Sequence, residues 1–293
     1  MVKIRYCRIF TLCGPSSRRN DPPMTPATAR RLRLGSRLGA VVLAAVPTLV
    51  LALPREPFGW FAYRPVVTSV AAAVAGEVMV WADMLLPVAL ALLVLWAPAW
   101  TRRLGLPLTL LVIAADVVIP LRYPWTPSHP NRGIELAALA AAALLLAVAR
   151  PGTGAADRRR AAAGWTVALV VALWPVLRMR LALADPATRC GEYVHATTAI
   201  DDLSFFKMLA MGTFGVNVCL LAVTAVAAAG LGARGARVLT LVTVAGLTFL
   251  VQPITGYGFP ATCLLDLSRW PYLVAALFLL LACVPGPVRR LRP

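Results

Sequence analysis

Charge is what this sequence has least of. Only 14% of its 293 residues are charged and just 12 are acidic, whereas a soluble domain carries about a quarter charged residues. That scarcity excludes an ordinary water-soluble fold. Histidine occurs twice, and the six cysteines form no CxxC or Cys/His spacing of the kind that holds a metal, so no metal site is expected. No glycine-rich phosphate loop, Ser-His-Asp order or HExxH motif is present, which removes the common catalytic signatures and leaves any cofactor unspecified.

What is present is apolar: 60% of the residues are hydrophobic and the mean hydropathy is +0.77. The formal charge of +17 does not point to nucleic acid, because the cations fall between long apolar runs, where they act as topology signals. The Ala- and Arg-rich, Lys-poor composition is the kind that a GC-rich bacterial genome encodes.

Crossing a bilayer takes about 20 mostly apolar residues. Eight segments meet this, at about 38–54, 80–100, 104–121, 133–150, 161–180, 208–231, 238–256 and 270–287. The run from Val66 to Trp100 is read as one span preceded by an interfacial helix. The expected fold is therefore all-α, a polytopic bundle of about eight transmembrane helices over residues 38–287, with a basic N-terminal tail (1–37) and a basic C-terminal tail (288–293). Residues 1–23 lack helical or strand patterning, and Met24 opens a conventional basic flank, so translation from Met24 is expected.

With both ends in the cytoplasm, the inner segments hold 20 of the 29 Lys and Arg residues, including the short loops "TRRLG" and "GARGAR", as the positive-inside rule requires. Ten of the 12 acids then fall on or near the outer face, all but Asp21 and Asp157. The expected location is the cell membrane, as a multi-pass protein, with the lipid bilayer as its surroundings and a separate ATPase subunit or other membrane protein as a candidate partner.

Counting about 1.5 Å per residue from the inner boundaries places Asp116, Glu135, Arg178, Asn217 and Gln252 in one layer, about 20–27 Å deep by the same rise. A carboxylate inside a bilayer costs about 3 kcal/mol near its centre, so it faces protein or water and finds a partner. Arg178 is the expected partner of Asp116. Residues 181–207 are read as the longest outer loop, capping this layer with His195, Asp201, Asp202 and Lys207. The Asp201-Asp202 pair suits the start of a helix, and a diphosphate–metal reading would need a third acid that "DDLSF" lacks. Cys190 and Cys263 fall in outer loops on the oxidising side, which makes them a candidate disulfide; "GYGFPATC" reads as a helix stop and a turn.

Span count and the short loops favour transport, by a permease-like subunit or a carrier of a hydrophobic small molecule. The competing reading is a membrane-embedded enzyme acting on a lipid or isoprenoid-type substrate, with an outward-facing polar site built on Asp116, Glu135 and Arg178.

Overall fold

The computed structural model describes residues 26–51, 70–122, 132–148, 159–184, 200–250 and 261–283. These form eight α-helices and no strand. They are α1 (Pro26–Leu51), α2 (Val70–Trp96), α3 (Thr101–Arg122), α4 (Arg132–Val148), α5 (Arg159–Ala184), α6 (Ile200–Gly230), α7 (Ala233–Ala245) and α8 (Ala261–Cys283). A π-turn, Gly246–Leu250, continues α7. The eight apolar segments read from the sequence fall one to each of these helices. Among the described residues three stretches are long and apolar enough to cross a membrane, Val70–Trp96, Thr101–Arg122 and Arg159–Arg178.

Several boundaries differ from the sequence reading, each for a local reason. The stretch before Val80 has no helix break, so Val70–Trp96 is one helix and not an interfacial helix followed by a span. The basic segment after Pro26 joins α1 directly; proline suits a first helical position because its missing N–H would be unpaired there anyway. The loop expected at 181–207 is helical at both ends, since α5 runs to Ala184 and α6 starts at Ile200. Asp201 and Asp202 therefore sit in the first turn of α6 rather than before it, where acids complement the helix dipole. Cys263 is in the first turn of α8 and not in a loop. Residues 1–23, with the expected start at Met24, and the tail 288–293 lie outside the described residues.

Most packed helices run in opposite directions, α2 and α6 being a parallel pair, and their contacts show which ends meet. Gly105 at the start of α3 meets Leu90 and Leu146, near the ends of α2 and α4, and Gly39, midway along α1, faces Leu145. Gly230 at the end of α6 faces Leu34, and Gly164 at the start of α5 faces Ala282 at the end of α8. One end of the bundle thus collects the exposed Arg102, Arg103, Arg159, Arg160, Arg234 and Arg237. Arg37 is buried at the same end, its Nη2 donating to the Pro98 carbonyl at 3.0 Å in the α2–α3 turn.

Packing divides the helices into two rings. In the first, α1 packs on α2, α2 on α3, α3 on α4, and α4 back on α1. In the second, α5, α6, α7 and α8 close in the same way, with α5 against α8 the most extensive pairing among the described residues. The rings join where α6 packs on α1 and α2. A further tie runs from Trp96, whose indole Nε1 donates to Thr166 Oγ1 at 2.7 Å while that hydroxyl donates to the Ala162 carbonyl at 2.8 Å.

The polarity of α3 is inverted relative to a soluble protein. Its buried stripe is Thr101, Gly105, Thr109, Val112, Asp116 and Pro120, whereas Leu110, Leu111, Val118 and Leu121 are exposed. Such a helix is unstable with water outside and at ease with hydrocarbon there. The threonines add little polarity, because hydroxyls such as Thr109, Thr240 and Thr243 donate to the carbonyl one turn back at 2.7–2.8 Å.

Candidate functional site

The first ring carries the chemistry. Asp83 on α2 and Asp116 on α3 are each 8% exposed, and their carboxyls lie beside one another, within hydrogen-bonding reach. Glu135 on α4, half-buried, is close enough to act electrostatically on Asp83. Thr48 of α1, buried at 2% exposure, lies against the buried thiol of Cys219 on α6, which in turn lies near Asp83. Asp83 Oδ1 is fully buried and has no hydrogen-bond partner among the described residues. All four helices of the ring, with α6 behind them, thus contribute to one polar centre.

The level of this centre follows from helix geometry. Asp83 lies thirteen residues before Trp96, Asp116 fifteen after Thr101, and Glu135 thirteen before Val148. At 1.5 Å per residue all three stand about 20–22 Å from the basic end. Small residues allow the close approach: a Cβ on Gly215 would sit 3.0 Å from Thr48 Cγ2 and 3.4 Å from Met84 Sδ.

Chemically, two carboxyl groups can hydrogen-bond only if one of them is protonated, since a carboxylate is an acceptor alone. The Asp83–Asp116 arrangement can therefore take up a proton, and Glu135 sets a third acid beside it. No group of three or more His, Cys, Asp or Glu side chains among the described residues has the geometry to hold a metal ion.

The residues expected from the sequence meet only in part. Asp116 and Glu135 come together through Asp83. Asn217 stands at the same height on α6, but its Nδ2 donates to Tyr272 Oη at 3.2 Å, inside the second ring. Arg178 is not the partner of Asp116: it is exposed and lines a groove with Trp174, Trp270 and Val274 between α5 and α8. Gln252, His195 and Cys190 lie outside the described residues, so the Cys190–Cys263 bridge does too. The side chains of Asp201, Asp202, Lys207 and Cys263 are likewise outside them.

Asp83 is the residue that sequence reasoning misses. Placing the second span at 80–100 leaves it at a boundary, where an acid draws no notice. With the helix starting at Val70, the same count that selects Asp116 and Glu135 selects Asp83. No family model matches the chain, and no curated protein or solved structure matches it either.

Proposed function

We propose that this protein is a multi-pass protein of the cell membrane, with eight spans and both termini cytoplasmic, that works in transport as a permease-like subunit or a carrier of a hydrophobic small molecule and uses its buried carboxyls to bind a proton. The observation that carries this reading is that two buried carboxyls, Asp83 and Asp116, meet between two helices in the interior of the first ring. Acids buried within membrane helices are the recurring parts of proton relays in pumps and carriers. Alternating helix directions and arginines gathered at one end support the proposed threading.

A bound proton favours a carrier driven by an ion gradient over a permease driven by an ATPase. An enzyme open to the outer face would instead expose its acid to substrate, whereas Asp83 and Asp116 are both closed off in the bundle.

A hydrophobic carbodiimide tests the reading without knowledge of the cargo, since it enters from the bilayer and reacts with a protonated carboxyl. Mass spectrometry should find adducts on Asp83 or Asp116, decreasing as pH rises. Reconstituted vesicles should lose an imposed proton gradient faster with wild-type protein than with Asp83→Asn once cargo is supplied from a host extract. Absence of labelling across the accessible pH range would sink the proton-binding reading.

A further inference from the structure

The groove between α5 and α8 lies apart from the polar centre of the first ring, and its lining is ordered by polarity. Val170, Trp174 and Arg178 follow one another at four-residue spacing along one face of α5. Opposite them, Trp270, Pro271 and Val274 line α8. The groove is open along one side and offers about 540 Å³, within the range of small-ligand sites. Trp270 is 73% exposed, Trp174 51% and Val170 58%, so none of the described residues covers these side chains.

Position along the helices decides what fits. Arg178 lies nineteen residues after Arg159, about 28 Å from the basic end by helix rise, close to the far edge of a hydrocarbon core about 30 Å thick. Trp174 is one turn deeper and Val170 two turns deeper. A cation near the interface, then tryptophans, then valines is the polarity order of a phospholipid turned inward: phosphate, glycerol, acyl chain. Tryptophan prefers that interfacial level, and the guanidinium fork matches a phosphate diester.

We infer that the α5–α8 groove binds one anionic phospholipid of the leaflet opposite the basic end, with its phosphate on Arg178 and an acyl chain along Val170 and Val274. Among the described residues Arg178 is the one charged side chain in the groove lining, so the site selects the anionic headgroup by charge and the chain by shape. This rests on the membrane-spanning reading but not on the proton site.

The test reconstitutes the full chain in nanodiscs of phosphatidylcholine with a minor fraction of phosphatidylglycerol and counts retained lipids by native mass spectrometry. Wild type should retain one phosphatidylglycerol more tightly than R178Q, by roughly fivefold, the effect typical of one interfacial cation. R103Q, at the basic end, should leave that lipid in place. W270A, which keeps the cation and removes the groove wall, should weaken retention of the same lipid. Equal retention by wild type and R178Q, with both proteins inserted, overturns the lipid site alone. Failure of the wild type to enter nanodiscs overturns the membrane-spanning reading and the lipid site with it, while the buried carboxyl pair stands.

Discussion

The two rings share a plan and differ in what they bury. Both close four helices in sequence, yet six of the seven buried polar or charged residues among those described lie on α1, α2 and the α3 stripe, and only Thr240 belongs to the second ring. Among the described residues the second ring ties its helices with a neutral pair, Asn217 with Tyr272, and closes α5 on α8 through Gly164 and Ala282. The difference separates a ring built for stability from one that carries a destabilising cluster. Buried ionisable groups are poor glue, and in lipid, where helix association depends on packing and on a few hydrogen bonds, small residues do better.

Four substitutions sharpen that comparison. The most complete effect is expected at Asp83: Asp83→Asn keeps shape and hydrogen bonding, so it should leave thermal unfolding in detergent nearly unchanged while abolishing carbodiimide labelling at that position. A fall in melting temperature as large as that of a packing variant would assign the acids to structure instead. In the second ring the order reverses. Gly164→Leu places a side chain where a single Cβ already meets Ala282 Cβ and comes within 3.2 Å of the Phe278 carbonyl. Overpacking of that kind costs about 3 kcal/mol, and the yield of folded protein should drop sharply with the carboxyl site chemically intact in whatever folds.

Smaller effects distinguish the polar ties. Tyr272→Phe removes the acceptor for Asn217 and should destabilise by about 1 kcal/mol, within the range for a hydrogen bond between membrane helices. Trp96→Phe deletes the donor to Thr166 that links the rings; this indole is half exposed, so the loss should be about 0.5 kcal/mol. Should Trp96→Phe prove the costlier of the two, the junction rather than the second ring would hold the bundle together.

Much of the fold is legible in the chain itself. Eight apolar segments and their flanking arginines mark eight helices, because hydrophobic length and charge are local properties. Depth is legible for the same reason: Asp116 and Glu135, level by residue counting, both reach Asp83. Azimuth is not. Counting along an axis says nothing about which way a side chain points around it or which helix is its neighbour. Height alone pairs Arg178 with Asp116, although α3 packs on α2 and α4. Asp83 escapes for a different reason, a helix start set ten residues late, because an unbroken apolar run does not show where its first turn begins.

By itself, then, the sequence determined helical class, apolar thickness and the end at which the arginines gather, since each follows from local composition and a fixed rise per residue. Only the tertiary structure decided that the acids of α2, α3 and α4 converge while Arg178 turns away toward an outer groove. That choice rests on which small residues let two helices approach, as Gly39, Gly105, Gly164 and Gly215 do here, and close packing between segments far apart in the chain is not written in any one of them.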